Sequence, residues 1–237
     1  MDPLQPPNSS PTTNPNAYLR LNDIRLLDIS IVSPNGSSMS IMNQYVVCQI
    51  TEDIFQNNIS GVLANIDASN IVANFPLTGQ EFLIISFNTP SAENEEIELL
   101  FLIDKIIDRG ALRNKQSQFY DIHFVCPTFT SSMFSDVKKA YTGTISNMVS
   151  DIFKNYINGE TTENRKTLIT NETRKGEHNI IIPNWSPFTA INWLSKREQS
   201  EENPKICDYV FYQDLDGFHF RSITSMFKGE PLRAYTY

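Results

Sequence analysis

Basic residues are in the minority in this chain. Nineteen Lys and Arg stand against 27 Asp and Glu, leaving a net charge of −8 and a pI near 4.9. A chain of that sign is repelled by phosphate backbones and by anionic membrane surfaces, which argues against nucleic-acid or membrane partners. Glycine is scarce: nine in 237 residues, with no Gly-rich phosphate loop, so a nucleotide cradle is hard to build. Cysteine is scarcer still. Cys48, Cys126 and Cys207 are odd in number and far apart, which reads as free buried thiols of a reducing compartment, not as a disulfide framework. Long apolar runs are missing too. The longest, Leu99–Ile103, fits a buried strand and falls far short of the roughly 20 apolar residues of a membrane span. The N-terminus has neither the basic start nor the apolar stretch of a secretory signal, so the sequons "NSS", "NGS", "NIS" and "NET" carry little weight.

The signatures of chemistry are equally thin. G-x-S-x-G and H-E-x-x-H do not occur. His123, His178 and His219 lie outside metal-ligand spacing of one another and of any Cys. "DLDG" at Asp214–Gly217 lacks the third oxygen ligand and the closing Glu of a calcium loop, so it reads as a turn. The carboxylate pairs Glu52/Asp53, Glu95/Glu96 and Glu201/Glu202 are neighbours in polar runs, whereas glycoside hydrolysis needs two carboxylates flanking a cleft. No catalytic residue, cofactor or metal is expected, and the chain reads as a non-enzyme.

What is present is a change of period. Residues 1–17 are rich in Pro, Asn and Ser and bury too little apolar surface to order, so they read as a disordered arm. From Ile24 to Cys126 six β-rich segments follow, separated by short polar connections: an antiparallel barrel or closed sheet. In "SQFYDIHFVC", Tyr120, Ile122, Phe124 and Cys126 face one way and Asp121 and His123 the other. "ELLFLIDKII" is apolar on both faces for half its length and reads as a central strand covered on both sides. "SAENEEIE" reads as a solvated loop.

After Pro127 the pattern turns helical. "TSSMFSDVKKAY" allows a short helix. In "GTISNMVSDIFKNYIN", Thr144 is a candidate N-cap, and Ile145, Met148, Val149, Ile152, Phe153 and Tyr156 share a face. "GETTENRKTLITNETRKGEH" is polar and mostly loop. "IIIPNWSPFTAINWLSKRE" reads as a strand at Ile180–Ile182 stopped by Pro183, then a helix. Ser186 stands at its N-cap and Pro187 at its first position; Phe188, Ile191 and Leu194 repeat at helical spacing, Trp193 widens that face, and Lys196-Arg197 occupy the last turn. Trp185 and Trp193 read as core. "DYVFYQDLDGFHFRSI" is a hairpin about Asp216-Gly217, pairing Leu215 with Phe218 and Gln213 with Phe220, with His219, Asp214 and Arg221 on the other face. "GEPLRAYTY" starts a further strand.

The fold class is α+β and β-dominated. An N-terminal antiparallel barrel-like domain (18–127) precedes a helix-containing region (128–237) whose β-hairpin belongs to a second barrel. The order of elements, from "NIDASNIVANFPLTGQEFLIISFNTP" through "GTISNMVSDIF" to the strand–turn–helix and the aromatic hairpin, resembles the central baseplate hub protein of contractile-tailed, T4-like bacteriophages, marine versions above all. More distantly it resembles the hub part of type VI secretion spike proteins. The resemblance spans about Ile24 to Tyr237. It implies a structural virion protein assembled in the host bacterial cytoplasm into the tail baseplate. It implies a homotrimer of paired barrels that joins a trimeric spike to the sixfold tail tube. Family members continue well past the hairpin, so the second barrel is expected to be incomplete here. No catalytic residue carries over. Trp185, Ser186, Pro187, Phe188, Ile191, Trp193, Leu194, Asp216 and Gly217 carry over as a structural signature. Two rival classes stand beside this one: a tail-associated cell-wall hydrolase, and a monomeric carbohydrate- or receptor-binding module using exposed Trp and Tyr.

Overall fold

The computed structural model describes residues 24–71, 75, 77–89, 95–111, 117–158, 167–170, 176–199 and 205–228. The expected arm (1–17), the "GEPLRAYTY" segment and the Glu201/Glu202 pair lie outside them. The protein is α+β and β-dominated, as its sequence implies. Strands β1 (Arg25–Val32), β2 (Ser38–Ser40), β3 (Tyr45–Thr51), β4 (Ser60–Asp67), β5 (Phe82–Asn88), β6 (Glu96–Ala111) and β7 (Gln118–Val125) form one seven-stranded sheet. Its order is β2-β1-β5-β6-β7-β4-β3, and every neighbouring pair is antiparallel.

Alternation decides which face is inside. Ile29 and Ile31, Leu83 and Ile85, and Ile122 and Phe124 are all fully buried on the concave face. Each such side chain contributes about 1.5–3 kcal/mol on leaving water. Curvature comes from β6, whose register against β7 shifts between Ile103 and Lys105 and again between Ile107 and Gly110, with Asp108 at φ 53°. Such bulges bend and twist a strand. Gly61 helps on the other side: a Cβ there would collide with the Gln49 carbonyl oxygen and the Phe124 ring, so glycine lets that ring lie across β4.

The curl stops short of closure. The corner Ile41–Gln44 joins the two ends of the sheet, Ile41 N donating to Ile29 O at 2.8 Å and Ile66 N to Gln44 O at 2.8 Å. Below that corner β1 and β3 separate, and a seam opens along the half-barrel. β6 does lie at the centre of the strand order, but it is not covered on both sides. Phe101 and Ile103 are buried, whereas Leu100 is 39% exposed, because nothing described packs on the convex face. The short strand β2 was not foreseen.

The second half builds its own core. Helix α1 (Pro127–Met133) precedes strand β8 (Val137–Gly143); then come α2 (Ile145–Ile152, continued by a wider π turn to Ile157), β9 (Leu168–Thr170), β10 (His178–Trp185), α3 (Pro187–Ser195), β11 (Tyr209–Asp214), β12 (Gly217–Ser222) and α4 (Ile223–Phe227). The helix expected in "TSSMFSDVKKAY" is thus displaced: Pro127 starts it early, and Val137–Gly143 is extended because it pairs with β10. Pro183 does not stop β10. In a two-stranded ribbon one edge needs no ladder donor, so the strand runs through Pro183, shifts register, and passes Asn184 at φ 56°. The supposed loop around Thr167 contains β9, which pairs parallel with β12.

The hairpin forms, but its turn is Leu215-Asp216, so Asp214 pairs with Gly217 and Gln213 with Phe218. Asp214 Oδ1 accepts from the N–H groups of Asp216 and Gly217 at 3.0 and 3.1 Å, which fixes the turn one residue earlier. Gly217 belongs to the strand. Its φ is 145°, and a Cβ would lie 2.6 Å from Thr167 O, the carbonyl that accepts from Phe218 N.

Candidate functional site

The residues with chemistry do not converge. Among the described residues no group of three or more His, Cys, Asp or Glu is placed to hold a metal ion. His123 sits on the convex face, opposite Val62 and Lys105. His178 is exposed at the start of β10. His219 is buried, stacked on Tyr212 with ring centroids 4.8 Å apart, its Nε2 2.8 Å from Asp214 Oδ1. Of the thiols only Cys126 is buried; Cys48 is half-buried and Cys207 exposed, so the expectation of three buried thiols holds for one.

Five of the signature residues pack in or against the second core. Ser186 stands at the N-cap of α3, but its side chain caps no backbone N–H; its hydroxyl meets Thr189 Oγ1 at 2.8 Å. Pro187 takes the first helical position, and Phe188, Ile191 and Leu194 face the second core. Lys196 and Arg197 lie just past the last turn rather than in it. Trp185 and Trp193 are half-buried, edge to face at 5.4 Å. The Arg197 guanidinium covers the Trp193 ring at 3.5 Å and donates to Trp193 O at 3.1 Å. Asp216 is exposed at the hairpin tip.

What the fold does bring together is a polar junction between the two cores. The loop after β3 supplies Glu52, Asn57 and Ile59; α3 and the hairpin supply Asn192, Phe211, Gln213 and Leu215. Asn57 and Asn192 exchange amide hydrogen bonds, Asn57 Nδ2 to Asn192 Oδ1 at 3.0 Å and Asn192 Nδ2 to Asn57 Oδ1 at 2.7 Å. Asn57 Nδ2 also donates to Phe211 O at 2.7 Å. Gln213 is buried and works both ways: its Oε1 accepts from Ile59 N at 3.3 Å, and its Nε2 donates to Cys126 Sγ at 3.3 Å. Leu215 N donates to Glu52 Oε1 at 2.8 Å. Burial pushes the Glu52 carboxyl up, the Leu215 N–H opposes that, and the charges of Asp214 and Asp216 add to it. These residues carry no local sequence signal, because the Asn57–Asn192 pair is separated by 135 positions.

Half-buried amide pairs are worth most when their loss strands a partner. Asn57→Ala leaves Asn192 and the Phe211 carbonyl unmatched, and is expected to lower stability by about 1–3 kcal/mol. Both tryptophans of the chain lie in the second core. In urea, tryptophan fluorescence and far-UV dichroism should therefore coincide for the natural sequence and separate for Asn57→Ala. Coincident transitions in both proteins would show that the junction does not couple the cores.

Apolar surface is the other conspicuous property. Phe134, Ile181 and Phe227 are more than two-thirds exposed, as is Phe55 in the loop after β3. Along the open seam of the half-barrel lies a cleft of 620 Å³, walled by Leu26, Val46, Cys48, Ile50, Ile85 and Phe87. Among the described residues, what this arrangement offers is exposed apolar surface beside an apolar cleft.

No protein-family model matches the chain, and no curated protein matches it in sequence. Solved structures do. The 43 kDa tail protein of prophage MuSo2 from Shewanella oneidensis superposes with a TM-score of 0.54 at 10% identity, over 84% of this chain and 53% of that one. Prophage tail protein gp18 of Listeria monocytogenes gives 0.49 at 13% identity, over 89% and 56% of the two chains. A component of the type VI secretion system of E. coli, itself described as similar to T4 tail proteins gp27 and gp5, gives 0.46 at 11% identity, over 89% and 50%. The chain spans about half the length of these structures. It shares its fold with a phage tail protein.

Proposed function

We propose that the chain is a structural subunit of a phage tail, and within the tail a subunit of the baseplate hub that joins spike to tube. The shared fold with the Shewanella prophage tail protein carries this reading. In it, residues 18–127 make the barrel-like unit of the hub and residues 128–237 the α+β region, with residues 1–17 as an arm. Three copies associate, and the spike and the tail tube or its initiator are the partners. The place of action is the tail baseplate, after assembly in the host cytoplasm. The work is done by surfaces: Trp185, Ser186, Pro187, Phe188, Ile191, Trp193, Leu194, Asp216 and Gly217 act as scaffold that sets the angle at which surfaces are presented. A glycan-stacking role for Trp193 is disfavoured by the guanidinium that already covers its ring.

Light scattering after gel filtration tests the assembly. Three times the 27.0 kDa of one chain is the expected mass. A single-chain mass at every concentration would overturn self-association. Clearing of a peptidoglycan suspension by the pure protein would overturn the non-enzymatic reading.

A further inference from the structure

The two edges of the seven-stranded sheet share one property. From Ile29 through Thr51 the chain has no Asp, Glu, Lys, Arg or His. That stretch supplies both edge strands, β2 and β3. Edge strands are ordinarily blunted by charge, by proline, by bulges or by a covering element, because their free N–H and C=O groups are templates for another strand. β3 has no charge and no proline, and its one register shift lies at its start, between Tyr45 and Val47. Among the described residues nothing pairs with its outer edge. Val46 and Val47 are 54% and 55% exposed. The seam cleft runs beside this edge, so an added strand would extend the ladder and cover the exposed Val46 and Val47 and the half-buried Leu26 in one step.

Charge selects the occupant. The chain carries −8, so two copies repel over most of their surface. They meet at least cost where neither has to bury an unpaired charge. The β3 edge is such a place, and it offers no charge by which a foreign partner of opposite sign is steered. We propose that the β3 edge and the seam cleft form a subunit contact, in which a second copy of this chain adds a strand to the sheet. The inference rests on the self-association proposed above and goes beyond it by naming the surface. In a three-membered ring the contact is heterologous, so the β3 edge of one copy meets the other uncharged edge, β2, of the next.

The test compares the natural chain with the double variant Val46→Lys/Val47→Lys. Both positions are more than half exposed, so the lone chain keeps its dichroism and its melting curve. The expected result is threefold mass for the natural chain and single-chain mass for the variant. Threefold mass for both would overturn the β3 contact and leave self-association standing. Single-chain mass for both would overturn self-association and the contact with it. Maleimide labelling of Cys48 gives an independent reading, with exposed Cys207 as reference. Dilution of the natural chain from assembly to single chains should speed Cys48 labelling about tenfold, because access controls thiol reactivity. No change in that rate would overturn the proposal, since the edge would then be covered from within the chain or left open in the assembly.

Discussion

Phe218→Ala is expected to cost about 3–5 kcal/mol, the range for deleting a large buried aromatic. Phe218 is fully buried at the middle of the second core. Its ring lies 5.2 Å from that of Phe153, 5.6 Å from Phe211 and 6.0 Å from Phe188, so it joins α2's extension, β11 and α3 at once. Removing it takes away the contact that three elements share, and Gly217 beside it has no side chain to fill the gap. Domain stabilities run to about 5–15 kcal/mol, so the loss is a large part of what holds this core. The check is the denaturant midpoint followed by Trp185 and Trp193 fluorescence, with Phe227→Ala as control. Phe227 is 85% exposed, and its truncation should fall within about 0.5 kcal/mol of no effect. Similar midpoints for the two variants would contradict this account of the core.

The second large effect is expected at Glu81. This carboxylate is only 1% exposed and organises the turn before β5. Its Oε1 accepts from Thr78 N at 2.8 Å and Thr78 Oγ1 at 2.7 Å; its Oε2 accepts from Gly79 N at 2.8 Å and Gln80 N at 3.2 Å. Burial pushes the carboxyl up, but the Thr78 and Gly79 donors outweigh it and hold the group below its ordinary value. Glu81→Ala strands three backbone N–H groups and a hydroxyl, for an expected loss of about 3 kcal/mol. The pH dependence follows from the sign. A depressed folded-state pKa means that the contribution is complete above the unfolded carboxyl value, about 4.3. It declines as pH falls through that value and is gone below the folded-state pKa. The stability gap between the natural chain and Glu81→Gln should therefore shrink in acid, since a protonated Glu and a Gln present similar groups. A gap unchanged between neutral and acid pH would show that Glu81 is not acting as a carboxylate.

Local patterning made the first sheet legible. Strict alternation in β7 told which side of Tyr120, Ile122 and Phe124 is inside, and the structure agrees because one face of the sheet is core and the other solvent. The same logic misjudged β6. A run such as "LLFLI" signals burial on both faces only if something covers the second face, and coverage is a tertiary fact. The hairpin at Asp216-Gly217 was visible, but its register rests on more than the turn pair: Asp214 Oδ1 accepts from the Asp216 and Gly217 N–H groups, the Thr167 carbonyl needs Gly217 in the strand, and Glu52 holds Leu215 in the turn. Val137–Gly143 is a strand only because β10 exists to pair with it. The junction left no trace in the sequence, since Glu52 and Asn57 look like loop residues, and Asn192 and Gln213 like ordinary helix and strand positions, until the chain brings them together. The packing role of Phe188, Ile191 and Leu194 was readable from helical spacing, whereas the stacking of Arg197 on Trp193 depends on where the helix ends.

The polar junction has a consequence for the order in which the protein is made. All seven strands of the first sheet precede Cys126 in the chain, so that core is complete in sequence before any residue of β8 has been translated. Chains tend to fold N-terminal units first during synthesis. Glu52, Asn57 and Ile59 would then stand on a finished surface while Asn192, Gln213 and Leu215 are still to come. The second half cannot complete itself as it emerges, because β8 waits for β10 and β9 waits for β12. It therefore closes late, and against a template that already displays the donors and acceptors it must meet. In that order of synthesis, the first half presents the geometry that the second has to meet.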